Sequence, residues 1–286
     1  MFIELSPDQA RQYIDATAVF TALEQAKKAA MPFRGSMMLR HINGAQYIIR
    51  TTPSGGQTSL GRLGPENSDV VDNFMNKKKS AEDRVKSLAQ ELTKQQRLNR
   101  ALRVGRVPTI VVDALNAINQ AGLSEHFMVV GTHALYAYET AASVLIPNDA
   151  MATRDVDLLL DTRKQVKFVT QMKRLDSSFL GVLQKADKTF RLREDQLYTA
   201  VNDKGFEVDV IRRSATTNDP RPFDQVVVST SGSMARMRTV HPLDFARLKR
   251  ELGRMPTRDR AKYRKDLQQA DAVVALVHEY LPHLSH

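Results

Sequence analysis

The sequence predicts an α/β (α+β) protein, in which a mixed-sheet core follows an N-terminal helix and hairpin region and precedes a C-terminal helical region. Its 286 residues, 42% hydrophobic and 26% charged, are enough for a full globular core. After Pro108, short apolar runs alternate with helical patterns. Before this point an Asn-Gly pair marks a hairpin, and from His241 onward the pattern is helical.

Composition excludes several classes of protein. The chain has no Cys, so it can form neither disulfides nor thiolate metal sites. No apolar run approaches the roughly 18 residues that a membrane span needs. The first residues lack the basic and apolar regions of a signal peptide. We therefore expect a cytoplasmic protein with no membrane partner.

Residues 1–64 are predicted to form a helix and a β-hairpin. Helical periodicity over residues 6–30 follows Ser6-Pro7, a pair that suits a helix start. Alternating apolar residues flank Asn43-Gly44, and a further strand is expected over residues 58–63. The Gly-rich residues 53–56 lack the Lys-Ser/Thr ending of a phosphate loop, so we interpret them as a plain loop.

Residues 65–106 are predicted to form a basic connecting segment of one long helix or two. The net charge of +10 is concentrated in two stretches. Residues 77–106 hold ten basic and three acidic side chains, and residues 247–265 hold nine and two. The basic face of the connecting segment is either a solvated helix or an arm that follows the phosphates of a nucleic acid.

Residues 107–235 are predicted to form the core, and residues 236–286 the C-terminal helical region. The core pattern predicts helices and strands in alternation. Helices are expected over residues 109–120, 133–144 and 162–174, and strands over residues 127–130, 156–160, 197–201, 206–211 and 225–228.

Three features of the core point to phosphate chemistry. Gly131-Thr132 follows an apolar strand and opens a helix, where free backbone N–H groups suit a phosphate. Asp155 and Asp157 open the next strand two residues apart, so both point to one face. Like charges this close favour a bridging cation such as Mg²⁺. Asp209, between aliphatic residues on a later strand, could complete a three-carboxylate cup.

In this order, the motifs resemble the pattern of the polymerase β-like nucleotidyltransferase superfamily, and more closely a bacterial, toxin-like branch of it. The pattern is Gly-Ser/Thr, then two acidic residues one apart, then a third acidic residue between aliphatics. The supporting stretches are QRLNRALR at 96–103 with 106–108, VGTHALYAYE at 130–139, ATRDVDLL at 152–159 and YTAVN at 198–202. The resemblance implies the superfamily's mixed-sheet nucleotidyltransferase core.

The resemblance also implies roles for site residues. Gly131 and Thr132 would hold the β- and γ-phosphates of a nucleoside triphosphate. Asp155 and Asp157 would bind Mg²⁺, with Mn²⁺ as an alternative, and Asp209 would bind the catalytic metal and help to activate the acceptor hydroxyl. Thr132 replaces the commoner Ser but keeps its hydroxyl.

Toxin-like members also use a C-terminal Lys and the Asp of a Lys-Asp pair. The counterparts by position are Lys249 and Asp266, with Arg258 and Lys262 as further triphosphate contacts. A solvated basic helix is the equally weighted alternative.

Other residues are better explained by structure than by chemistry. Tyr136 and Tyr138 cannot face one way on a helix, so we expect core positions. His133 could face a phosphate from the helix start, but the seven His show no metal-ligand spacing.

The function predicted from these residues is that of a Mg²⁺-dependent nucleotidyltransferase of the EC 2.7.7 type. It would bind ATP or another NTP and transfer an NMP to a hydroxyl, with RNA, and tRNA in particular, as the favoured acceptor. The likeness to toxins suggests a toxin–antitoxin or defence role with a cognate antitoxin protein. The alternatives are a non-catalytic nucleotide- or nucleic-acid-binding module and a protein-NMPylating enzyme.

Overall fold

The computed structural model describes residues 2–147, 151, 155–161, 168, 172, 178–196, 198–213, 220–255 and 259–285. The chain forms two compact units. The sheet unit comprises residues 14–97, and the core unit comprises residues 1–13 and 98–286. The four-part division predicted from the sequence, with boundaries at 64, 106 and 235, stays a prediction.

The sheet unit contains a three-stranded antiparallel sheet, whose strands lie side by side in chain order, together with most of two long helices. Asn43 and Gly44 both have positive φ, at 48° and 76°, which confirms the predicted hairpin turn. The connecting segment contains a single α-helix over 70–101. The elements are α1 (Pro7–Ala30), β2 (Ser36–Ile42), β3 (Ala45–Thr51), β4 (Gln57–Arg62) and α2 (Val70–Ala101).

Arg50 on β3 ties this sheet to its surroundings. Its guanidinium lies 4.5 Å from the centre of the Phe74 ring and donates hydrogen bonds to the backbone carbonyls of Pro32, Arg34 and Ser36. Ile48, two residues before Arg50 on the same strand, is almost fully buried. Arg50 is therefore a structural residue of this unit.

The core unit is built on a seven-stranded mixed sheet. Its strands are β5 (Phe127–Val130), β7 (Asp155–Asp161), β8 (Arg191–Leu192), β9 (Thr199–Val201), β10 (Glu207–Arg213), β11 (Pro222–Val228) and β12 (Met234–Val240). Their order in the sheet is β11-β12-β5-β7-β10-β9-β8. β7 runs parallel to β10 and β12 runs parallel to β5, whereas the other neighbouring pairs are antiparallel. This architecture confirms the predicted mixed-sheet α/β fold.

The helices of the core unit agree with most of the sequence predictions. They are α3 (Thr109–Gln120), α4 (Leu135–Ala142), α5 (Phe179–Leu183), α6 (Pro242–Gly253) and α7 (Arg260–Tyr280). Helix α3 has the predicted bounds. The helix predicted over residues 162–174 falls almost wholly outside the described residues.

Both boundaries of one predicted helix were wrong. The helix expected over 133–144 begins later and ends earlier, because residues 131–134 form a 3₁₀ turn and Ser143 takes a left-handed conformation with φ of 55°. The chain then enters a short strand, β6 (Val144–Leu145), which pairs with β1 (Ile3–Glu4). Helix α4 is therefore only two turns long.

The core beneath the sheet is apolar and includes both tyrosines of α4. Tyr136 and Tyr138 are buried, as predicted, and the Tyr138 hydroxyl donates a hydrogen bond of 2.6 Å to the Val240 carbonyl. Within the described part of the chain, no helix combines the length and the apolar character that a bilayer span requires.

Candidate active site

Two parallel strands present the carboxylates. In the pairing of β7 with β10, Asp155 lies opposite Glu207 and Asp157 lies opposite Asp209. The alternate residues of both strands are buried on the other face of the sheet, among them Val156 and Val208. Alternation therefore directs the acidic side chains of both strands to one face, as the sequence predicts.

The structure brings Asp155, Asp157 and Asp209 together. One carboxylate oxygen from each lies within 4.8 Å of the others. Burial in the first place, and then the neighbouring charges of Asp155 and Asp209, raise the pKa of Asp157 to about 6. Three converging oxygen donors that repel one another fit a hard divalent cation, so these residues could hold a metal ion.

Gly131 lies directly beside this cluster. Val130, at the end of β5, is the strand partner of Asp157, and the chain then turns through Gly131 with φ of 68°. A Cβ at Gly131 would overlap the Asp157 carboxylate. Only glycine therefore fits here without displacing an acidic side chain.

Thr132 follows in the 3₁₀ turn and is held by a residue that sequence reasoning missed. The Gln269 side chain on α7 donates a hydrogen bond of 3.1 Å to the Thr132 hydroxyl oxygen, and both side chains are buried. The two residues are 137 positions apart, and a lone Gln on a helix carries no motif. Helix α7 is thereby bound to the Gly131–Thr132 turn.

The C-terminal residues Lys249 and Asp266 contact each other. Lys249 on α6 donates a hydrogen bond of 2.8 Å to Asp266 on α7, and both side chains are almost fully buried. The charges of Lys249 and Lys262 also lower the pKa of Asp157, although burial outweighs them. Both C-terminal helices thus direct positive charge at the aspartates. Arg258 lies outside the described residues.

Two further residues near Asp155 were not assigned to the site from sequence. Lys265 on α7 is partly buried, and burial together with the charge of Lys249 lowers its pKa, whereas Asp155 acts in the opposite direction. Burial lowers the pKa of His133 to about 4, against the opposing effect of Asp155. His133 is therefore neutral at pH 7, and its ring packs 5.6 Å from that of Tyr136.

Thr199 on β9 supports the third aspartate. Its hydroxyl donates a hydrogen bond of 2.5 Å to one Asp209 carboxylate oxygen, and the residue is fully buried. Thr199 is also the strand partner of Asp209 in the pairing of β9 with β10. It lies within the 198–202 stretch that contributes to the family resemblance, and strand register would have identified it.

Glu207 is a fourth carboxylate on the same face. Arg193 donates a hydrogen bond of 3.0 Å to it and binds Asp195 as well. Glu207 is therefore held by an ion pair with Arg193.

Comparison with known proteins identifies the class. A family profile described as Nucleotidyltransferase matches residues 109–222 and 218–286. These matches span more than half of the chain, so the chain belongs to this nucleotidyltransferase family. The predicted resemblance to nucleotidyltransferase-fold proteins is confirmed, and the family identifies a transferase with a nucleotide substrate. No curated protein and no solved structure matches the chain.

Proposed function

We propose that this protein transfers an NMP from an NTP to an acceptor hydroxyl, a reaction of the EC 2.7.7 type, with Mg²⁺ as its metal and RNA as its acceptor. The observation that carries the proposal is the convergence of Asp155, Asp157 and Asp209 beside the Gly131–Thr132 turn. We also propose the four-part domain division predicted from the sequence, with boundaries at residues 64, 106 and 235.

The three aspartates are the proposed metal ligands. Their oxygen donors suit Mg²⁺, with Mn²⁺ as an alternative of similar chemistry. When bound, the ion neutralises charge on the phosphates and lowers the pKa of the attacking hydroxyl. The aspartates in turn fix where the α-phosphate of the nucleotide meets the acceptor.

The Gly131–Thr132 turn is proposed to hold the outer phosphates. The absence of a Cβ at Gly131 lets backbone N–H groups approach a phosphate oxygen. Because the Thr132 hydroxyl oxygen accepts a hydrogen bond from Gln269, the hydroxyl can still donate its own proton to another acceptor. We assign that donation to a phosphate oxygen.

The C-terminal helices are proposed to supply positive charge to the triphosphate. Lys262 and Arg258 are the candidate contacts predicted from the resemblance, and Lys265 joins them because it lies near Asp155. Lys249 and Asp266 belong to the same nucleotide-binding set. Their mutual ion pair supports a role in holding α6 and α7 at the site as well.

Asp209 is proposed to receive the acceptor proton. The acceptor oxygen forms a bond to the α-phosphorus, the bond to the bridging oxygen of the β-phosphate breaks, and pyrophosphate leaves. The hydroxyl proton passes to the Asp209 carboxylate, whose orientation Thr199 fixes.

RNA, and tRNA in particular, is the favoured acceptor because positive charge is concentrated in residues 77–106 and 247–265. The likeness to toxin-like proteins supports a cytoplasmic toxin or defence role with a cognate antitoxin. A non-catalytic binding module and a protein-NMPylating enzyme are the alternatives.

A transfer assay separates these possibilities. The protein is incubated with each of four α-³²P-labelled NTPs, Mg²⁺, and either tRNA, total RNA or a protein mixture. We expect label on RNA with the wild type and none with Asp155→Asn. Asp161→Asn, which alters a carboxylate on the same strand outside the cluster, is the matched control and should retain activity.

Each other outcome redirects the proposal. Label on protein alone would favour NMPylation. Nucleotide binding with no label on any acceptor would favour the non-catalytic module.

A further inference from the structure

A row of three side chains crosses the three-stranded sheet of the sheet unit. Arg40 on β2 pairs with Tyr47 on β3, and Tyr47 pairs with Arg62 on β4. Residues paired directly across antiparallel strands point to the same face. Because neighbouring strands lie about 4.8 Å apart, the two arginines lie on either side of the tyrosine, and their backbones are about 10 Å from each other.

This face of the sheet is open near the row. Arg40 and Arg62 are exposed, as are Met38 and Ile42, which share the face with Arg40 and are 42% and 41% accessible. Ile49, two residues beyond Tyr47, is buried, so the row lies at the open end of the sheet.

The charge of this region has one sign. Residues 31–65 contain four arginines and no Asp, Glu or Lys. Arg50, on the opposite face, is occupied by backbone carbonyls and the Phe74 ring. By contrast, among the described residues, no ion pair or side-chain hydrogen bond holds Arg40 or Arg62. These two cations are available to a ligand.

We propose that this face binds single-stranded RNA, with a base stacked on Tyr47 and phosphates contacted by Arg40 and Arg62. Tyr47 is half-buried between two exposed arginines. A partly exposed aromatic ring between cations is suited to unpaired nucleotides, because every base offers a π-face and the nucleic-acid backbone is anionic. The choice of RNA rests on the proposed function, whereas binding can be measured without any transfer. The absence of carboxylates on the strands favours a polyanion over a cationic or mixed-charge protein surface.

Fluorescence anisotropy with a labelled, unstructured 15-nucleotide RNA tests the proposal, using the full-length protein without NTP. We expect Tyr47→Ala to weaken binding about 10-fold or more, whereas Tyr47→Phe, which keeps the ring, stays within about twofold. Arg40→Gln and Arg62→Gln should each lower the slope of log K against log salt by about one. Lys28→Gln, an exposed cation of the same unit on α1, is the matched control.

Several results would overturn the proposal. One is equal binding by Tyr47→Ala and the wild type while thermal unfolding shows both folded. Another is equal affinity for duplex RNA or for an acidic peptide, because this would assign the face to charge alone. Binding is measured without NTP and without transfer, so loss of transfer in Asp155→Asn and loss of RNA binding in Tyr47→Ala remain separate results.

Discussion

Gly131 lies against the carboxylate of Asp157 so closely that no β-carbon fits between them. The contact joins the end of β5 to the strand that carries two of the three aspartates. Two requirements therefore favour glycine at the start of the motif. A side chain would overlap the Asp157 carboxylate, and the backbone has a positive φ of 68°.

Gly131→Ala should therefore abolish transfer and weaken Mn²⁺ binding, because the new methyl group displaces the Asp157 carboxylate. Isothermal titration with Mn²⁺ and the transfer assay measure both effects. The control is Gly205→Ala, at φ of 72° with open space around it, which carries similar backbone strain without the overlap. Equal losses in the two variants would show that strain, and not the contact with Asp157, is responsible.

Thr199→Val should reduce the transfer rate about 10- to 100-fold, because the Asp209 carboxylate loses a buried hydrogen bond while the side-chain volume is kept. Thr199→Ser retains the hydroxyl and should restore most of the rate. The Mg²⁺ concentration that gives the half-maximal transfer rate should also be higher in Thr199→Val than in the wild type. An unchanged requirement in folded Thr199→Val would contradict the positioning role.

Gln269→Leu should raise the KM for NTP more than it lowers kcat, because the Thr132 hydroxyl loses the donor that orients it. In the Thr132→Val background the same substitution should have little further effect, which a double-mutant cycle measures. Gln268→Leu, on the exposed side of α7, is the control. If the effects of Gln269→Leu and Thr132→Val on KM were additive, Gln269 would not act through Thr132.

Lys249→Met should lower the free energy of unfolding by about 3–5 kcal/mol, because it removes one partner of a buried ion pair with Asp266. Urea unfolding measures the change. Arg250→Met breaks an exposed ion pair with Asp271 on the same two helices and should cost far less. Comparable costs would mean that the buried pair does not hold the helices together.

The raised pKa of Asp157 predicts how the metal-free protein responds to pH. Its folded pKa of about 6 lies above the unfolded value near 3.9, so the folded state favours the protonated form. This contribution to stability is present below pH 4 and is lost as pH rises through 6. At pH 8, without metal, Asp157→Asn should therefore be more stable than the wild type by about 1–3 kcal/mol.

Unfolding in urea with EDTA at pH 8 and pH 4 measures that difference, with Asp161→Asn as the control. The gain should shrink at pH 4, where the wild-type carboxyl is already protonated. A variant that is less stable than the wild type at pH 8 would contradict the electrostatic repulsion within the cluster.

Local patterns were sufficient for much of the fold and for the placement of the aspartates. The Asn43-Gly44 turn depends on two adjacent residues, and the shared face of Asp155 and Asp157 depends only on strand alternation. Strand β12 was missed because Arg236 and Arg238 interrupt its apolar residues, which find partners in β5 and β11 only after folding.

The side-chain contacts that support the site could not be predicted for the same reason, although the family resemblance did predict Lys249 and Asp266 as site residues. Gln269 reaches Thr132 from a distant helix, and Lys249 reaches Asp266 only because α6 packs against α7. Their roles depend on tertiary contacts that no spacing along the chain encodes.

The most direct test of metal-dependent NMP transfer compares two labels in one reaction. Wild-type protein, tRNA and Mg²⁺ are incubated with the NTP carrying ³²P at either the α- or the γ-phosphate. We expect the α-label on RNA with release of pyrophosphate, no transfer of the γ-label, and loss of the product in EDTA or with Asp155→Asn. Transfer of the γ-label, or α-label transfer by Asp155→Asn at the wild-type rate, would contradict the proposed chemistry.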